Sequence, residues 1–255
     1  MDLGLTAKRA LVGGGGSGIG GGIATALAGE GARVMIAGRT AERLDAMAGR
    51  IGAATVVADL ATPAGPTAAV SAAVAELGGL DLLVVNSGGP PPGTFEQLGP
   101  DAWHKAIEGT LLGAVRLIDN ALPHLRAGSA PAILLNLSSS VREPIAGLTT
   151  SNTIRPGLVG LVKDLAGEIA PVRVNGVAPG RLDTDRVKQL DTARAEASGL
   201  SVEEVRRQTE AGIPLGRYGS TDEMGRVAAF LLSPAASYVT GVIVPVDGGL
   251  VRALP

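Results

Sequence analysis

Short apolar runs alternate with longer amphipathic stretches along this chain, the pattern of a parallel sheet joined by crossover helices. Seven runs read as strands: Ala10–Gly13, Arg33–Ala37, Thr55–Ala58, Asp81–Val85, Ala132–Leu137, Val172–Val177 and Val242–Val246. Most are continuously apolar, which predicts burial on both faces. Between them lie helix starts with physical signals. Thr62-Pro63 offers an N-cap followed by proline at the first helical position. Ser201-Val-Glu-Glu204 and Ser220-Thr-Asp-Glu223 both spell capping boxes, and Pro234 predicts a helix stop near Ser233. Trp103, Ile107, Leu111, Ala114, Ile118 and Leu122 recur at helical spacing, as do Ile154, Leu158, Leu161, Val162, Leu165 and Ile169. Packing onto the sheet uses about half of each stripe, and the remainder predicts a subunit interface. The expected architecture is α/β: one doubly wound parallel sheet of about seven strands with helices on both faces, in a single domain.

Composition narrows the chemistry. With 255 residues, 45% of them hydrophobic, the chain can bury a sizeable core. Its 22 basic and 24 acidic residues leave a formal charge of −2, which argues against a nucleic-acid or anionic-membrane partner. There is no cysteine, so disulfides, thiolate metal sites and cysteine nucleophiles are excluded, and two histidines, His104 and His124, predict no metal centre. No apolar run approaches a membrane span, and the first residues lack the form of a signal peptide, so a cytoplasmic protein is expected.

After the first strand comes Gly13-Gly-Gly-Gly-Ser-Gly-Ile-Gly20, then a helical pattern. Glycines let backbone approach a pyrophosphate, and the helix N-terminus that follows offers free N–H groups and a positive dipole end. Gly21 and Gly22 continue inside that helix, each at a cost of about 1 kcal/mol, which predicts close contact with a strand or ligand. Arg39 follows the second strand, where a dinucleotide's ribose would lie. An acid there would bind a ribose diol; Arg39 suits a 2′-phosphate, or else is a solvated arginine at a helix flank. Asp59 and Asn86-Ser-Gly-Gly89 follow the third and fourth strands. The segment from Asp185 to Tyr218 is a charged excursion late in the chain, placed to cover a substrate as a lid at 185–218.

In order along nearly the whole chain, these motifs resemble the short-chain dehydrogenase/reductases, and among them the 3-oxoacyl-carrier-protein reductases. Gly14, Gly18 and Gly20 match the family's T-G-x-x-x-G-x-G turn, with Gly13 in place of the threonine. Val174-Asn-Gly-Val-Ala-Pro-Gly180 matches its strand and turn at the nicotinamide, and Tyr238 to Gly249 resembles its C-terminal tail. The resemblance implies a nicotinamide dinucleotide, and Arg39 favours NADP(H) over NAD(H); the expected binding residues are Gly14, Ser17, Gly18, Ile19, Gly20, Arg39, Asp59, Leu60, Asn86, Gly88, Pro179, Gly180 and Thr184. It implies a small carbonyl or alcohol substrate and a homotetramer.

The family's Asn, Ser and Tyr-x-x-x-Lys set is where the sequence departs. The two tyrosines, Tyr218 and Tyr238, are followed four residues later by Asp222 and Val242, and none of the four lysines lies four after a tyrosine. Alignment through Gly157–Leu161 puts Ser151 at the tyrosine and Arg155 at the lysine; alignment through Trp103 and Gly113 puts Thr110 at the asparagine. Asn136-Leu-Ser-Ser-Ser-Val141 carries the serine. Counting forward selects Ser139, counting back from Val141 selects Ser140, and the family's usual gap from Ser151 selects Ser138; Ser139 needs no gap before the next loop and is the expected residue. Expected catalytic residues are therefore Ser139, Ser151, Arg155 and Thr110. Three functions are open: a carbonyl oxidoreductase with a degenerate tetrad, a non-catalytic dinucleotide-binding sensor or scaffold, and a dehydratase or epimerase on the same cofactor.

Overall fold

A computed structural model describes residues 2–253. All seven predicted strands form, each within a residue or two of expectation: β1 (Arg9–Gly13), β2 (Arg33–Gly38), β3 (Ala54–Val57), β4 (Leu82–Val85), β5 (Ala132–Asn136), β6 (Arg173–Pro179) and β7 (Ile243–Val246). They pair in parallel in the order β3-β2-β1-β4-β5-β6-β7. The order reverses between β1 and β4, which opens a crevice at their carboxyl ends.

Side-chain alternation within buried strands sorts the core onto two faces. Leu11, Met35, Leu83, Ile133 and Leu135 pack beneath α3 (Ala64–Leu77), α5 (Gly113–Arg126) and α6 (Thr149–Glu168). Val12, Val34, Ile36, Leu82, Val84 and Leu134 pack beneath α1 (Gly18–Gly29), α2 (Ala41–Ile51) and α9 (Thr221–Leu232). The remaining helices are α4 (Pro100–Ala106), α7 (Asp185–Ser198) and α8 (Val202–Ala211). Among the described residues no helix is long and apolar enough to cross a membrane.

Several local expectations are refined. Ser220 and Glu223 complete a reciprocal capping box, whereas Ser201 accepts from the Glu204 amide without a return bond. Thr62 accepts from the Gly65 amide although the helix begins at Ala64. The stripe from Trp103 to Leu122 is not one regular helix: a π-helical turn over Ile107–Leu112 separates α4 from α5. Gly21 and Gly22 serve helix packing rather than a strand or ligand. A Cβ on Gly22 would collide with the Thr221 backbone of α9, and one on Gly21 would press on Met47 of α2.

Below the sheet's opposite edge, Asp81 joins three segments. Its carboxylate accepts from the Arg9 side chain at 2.8 and 2.9 Å, from the Arg9 amide and from the Ser129 amide. Burial is the largest single influence on this carboxyl and opposes its ionisation, but the donors from Arg9 and Ser129 together outweigh it and bring its pKa down to about 2. A depressed carboxyl contributes stability that is complete above the unfolded-state value and lost as pH falls through the folded one. The account predicts that Asp81→Asn lowers stability at pH 7 by about 2 kcal/mol and flattens the acid limb between pH 4 and 2. Denaturant unfolding at stepped pH reads both effects; an unchanged acid limb would remove Asp81 from that role.

Candidate active site

The carboxyl edge of the sheet is laced by one run of hydrogen bonds. Asn86, just beyond β4, donates from Nδ2 to the Gly13 carbonyl of β1 at 2.9 Å. Asn136, the last residue of β5, donates to Asn86 Oδ1 at 2.8 Å. Arg155 of α6 then donates from one nitrogen to the Asn136 and Leu137 carbonyls, at 3.0 and 2.8 Å. Asn136 Oδ1 is left without a partner. Asn86, Ser87, Thr110, Asn136 and Arg155 line a small cavity here, closed below by Leu60, Leu117 and Leu158.

At the β1 end the glycine-rich turn is built for close backbone approach. Gly14 and Gly18 take positive φ, +59° and +55°, and a Cβ on Gly20 would collide with the Gly14 carbonyl. Ser17 is the N-cap of α1 yet makes no side-chain capping bond, and the first turn carries no acid. The amides of Gly18, Ile19 and Gly20 are thus available to an anion, which fits the diphosphate of a dinucleotide. Around this turn lie the other expected residues. Thr184 caps α7, accepting from the Val187 amide, and lines an open cleft with Ser17 and Gly18. Asp59 accepts from the Ala61 amide in a tight turn ahead of Leu60. Arg39 is exposed beyond β2, and its guanidinium reaches to 3.9 Å from where a Cβ would stand on Gly88. Pro179 ends β6, and Gly180 lies so close to Asp247 that a side chain there would clash.

At the β5 end, Ser151 and Arg155 lie one turn apart on α6 and both are buried. Ser140 Oγ sits 3.1 Å from Ser151 Oγ. Of the three serines it is Ser140, and not the expected Ser139, that faces Ser151: Ser139 begins a 3₁₀ turn capped by the Ser138 hydroxyl. Three consecutive serines gave spacing no means of choosing; the turn does. Thr110 is buried within the π-helical turn and lines the cavity beside Arg155. Neither tyrosine is paired with the serines. Tyr218 donates to buried Asp191 at 2.8 Å, and Tyr238 is fully exposed. Asn136 was missed as a site residue, although a polar residue ending an apolar strand was a usable signal.

Arg155 carries a charge into an apolar wall with no carboxylate beside it. Burial, with a smaller contribution from Arg186, brings its pKa down to about 10. It therefore remains cationic at neutral pH and donates only to neutral carbonyls.

A family model described as Enoyl-(Acyl carrier protein) reductase matches residues 14–251. The chain belongs to the short-chain dehydrogenase/reductase family. Among this family's members it is 35% identical over 253 residues to an uncharacterized oxidoreductase of Mycobacterium tuberculosis, covering 96% of this chain and 93% of that one. It is 33% identical to the 3-oxoacyl-[acyl-carrier-protein] reductase FabG of Aquifex aeolicus, across 98% of this chain and all of the relative. Its fold superposes on the L-sorbose reductase of Gluconobacter frateurii, solved with NADPH and L-sorbose, with a TM-score of 0.93, 30% identity and full coverage of both chains. This short-chain dehydrogenase/reductase is thus an oxidoreductase of the doubly wound class.

The hydrogen-bonded edge generates a prediction. Asn136→Leu removes the donor to Asn86 and leaves the Asn86 oxygen buried without a partner, which costs about 1–3 kcal/mol. Thermal unfolding should show the loss, and an unchanged midpoint would mean the Asn86–Asn136 bond contributes nothing.

Proposed function

We propose that the protein is an NADP(H)-dependent carbonyl reductase whose proton chemistry is run by hydroxyls and an arginine in place of a phenol and an ammonium. The observation that carries this reading is the buried Ser140–Ser151 hydroxyl pair, one turn from an arginine without a counter-ion. The dinucleotide would be held by the turn from Gly14 to Gly20, with Asp59, Leu60, Asn86, Gly88, Pro179, Gly180 and Thr184 along its length. Arg39 would take the 2′-phosphate; it is the cation at the end of β2, where an acid would favour a free ribose diol. When bound, the nicotinamide supplies or accepts the hydride.

The protein's own residues handle the oxygen. In the serine pair one hydroxyl donates to the other, so the second is free to donate to a substrate carbonyl. Arg155 holds positive charge nearby and lowers the energy of an oxyanion as it develops. Neither group is a good proton source: serine has no pKa near neutrality, and a guanidinium near 10 releases its proton poorly. Net protonation then depends on water reaching the serine pair. Loss of a positioned general acid costs roughly 10²–10⁴ in rate. A second reading, a dinucleotide-binding sensor with no turnover, is favoured by the same missing phenol. The segment 185–218, with α7 and α8, is assigned as the substrate lid. The apolar residues Ile107 and Val115, exposed on the α4–α5 side, are assigned to contacts in a homotetramer.

Two outcomes are expected. Calorimetry should give NADPH at least tenfold tighter binding than NADH, with the difference lost in Arg39→Ala; equal affinities in both proteins would remove the role of Arg39. Reduction of simple ketones and 3-oxoacyl thioesters should be slow, and faster in the combined Thr110→Asn, Ser151→Tyr, Arg155→Lys variant. Phenol and ammonium act as a unit, so the single changes should gain little. Steady-state loss of NADPH absorbance reads this. Brisk turnover by the unaltered protein, unchanged by Ser151→Ala, would refute the assignment.

A further inference from the structure

The charged residues of the 181–223 segment are mostly matched. Arg181 pairs with Asp191, Arg206 with Asp183 and Glu210, Arg207 with Glu204, and Arg217 with Glu223. Arg194 bonds the Thr209 hydroxyl between α7 and α8. Arg186, in the first turn of α7, departs from this pattern. It has no carboxylate partner and reaches across the crevice to the Pro90 carbonyl, 3.3 Å away, on the loop after β4. Its guanidinium lies on Gly89, where a Cβ would stand 3.7 Å from Nε.

That loop locates Arg186 within the crevice. The next carbonyl, Pro91, accepts from Thr150 Oγ1 at 2.7 Å, and Thr150 precedes Ser151. Two residues further on, Gly93 bridges to Leu148 at the start of α6. The proline loop is therefore fastened to the same helix start that carries Ser151. Arg186 lies against Gly89 of this loop, and Arg39 approaches its neighbour Gly88. After burial, the positive charge of Arg186 is the second influence that lowers the Arg155 pKa. Arg186, exposed and bonded only to a neutral carbonyl, thus contacts the loop that is fastened beside Ser151. A guanidinium offers a planar fork of donors that matches a carboxylate, and a long bond to one neutral carbonyl is readily exchanged for it.

We infer that Arg186 binds a carboxylate on the substrate, so that the compounds reduced are oxo acids and the products hydroxy acids. This rests on the reading of the crevice as a carbonyl-reducing site and names its substrate class. The competing source of an oxyanion is the dinucleotide's own diphosphate, and one experiment separates the two. The full chain, saturated with NADP⁺ so that no turnover occurs, is titrated calorimetrically with pyruvate, acetoacetate and levulinate and with their methyl esters. At least one acid should bind roughly tenfold or more tightly than its ester, as expected for a charge-assisted pair. In Arg186→Gln that ratio should fall to within twofold of one, with NADP⁺ affinity held within threefold; Arg186→Lys should fall between. Acids that bind no better than their esters would overturn the inference. So would an Arg186→Gln variant that weakens NADP⁺ tenfold and leaves the ratio intact, because the arginine would then serve the diphosphate. If NADP⁺ itself does not bind, the cofactor reading fails, and the same acid-to-ester ratio measured on the free chain still decides the role of Arg186. Tight acid binding without reduction under NADPH would fail the catalytic reading alone.

Discussion

The run of bonds from Gly13 through Asn86 and Asn136 to Arg155 is the constraint on which the crevice depends. It ties β1, β4, β5 and α6 at the edge where parallel strands expose their last carbonyls. Those carbonyls would otherwise need water, and an edge flooded with water could not hold a rigid turn on one side and a buried cation on the other. Asn86 suits this duty because its amide both donates and accepts, whereas Asn136 donates from its side chain and accepts from Arg155 at its main-chain carbonyl. One end fixes the glycine-rich turn; the other fixes the arginine beside the serine pair. That single thread holds in register the glycine-rich turn and the serine pair, the two halves of the proposed reaction.

The halves differ in how far they follow from elementary requirements. The dinucleotide side needs only open backbone amides at a helix start and glycines where atoms crowd, and Gly14, Gly18 and Gly20 meet both conditions. The proton side needs a group whose pKa lies near the working pH. Ser140 and Ser151 supply hydroxyls and Arg155 supplies charge, but a fixed cation stabilises an oxyanion without quenching it. The positive charge of Arg155 and Arg186, neither in an ion pair among the described residues, also shifts the balance of ligands. It disfavours cationic substrates and favours those that bring negative charge, the direction in which Arg186 extends the site.

Much of this was legible in the sequence, for physical reasons. Strands buried on both faces betray themselves as unbroken apolar runs, and the pattern placed the five central strands in this way and the partly exposed edge strands β3 and β7 as well. Thr110 and Arg155, picked out by alignment, both line one cavity, and Ser151 lies one turn from Arg155 beside Ser140. What escaped was orientation. Which of Ser138, Ser139 and Ser140 faces Ser151 depends on the pitch of one 3₁₀ turn, and a sequence does not state pitch. The π-helical turn that buries Thr110 breaks a stripe that reads as regular in sequence. Gly21 and Gly22 signalled close contact correctly, but the partners were α2 and α9, which lie distant along the chain. Arg186 looked like one more charge in a solvated helix until the fold carried it to Pro90.

The central claim is that hydride delivery is intact while proton delivery limits the rate. Paired isotope effects on one reducible ketone test it directly: NADPH against its 4-deuterated form, and water against deuterium oxide. The account predicts a solvent effect well above one with a transferred-deuterium effect near one. A full transferred-deuterium effect with no solvent effect would contradict it.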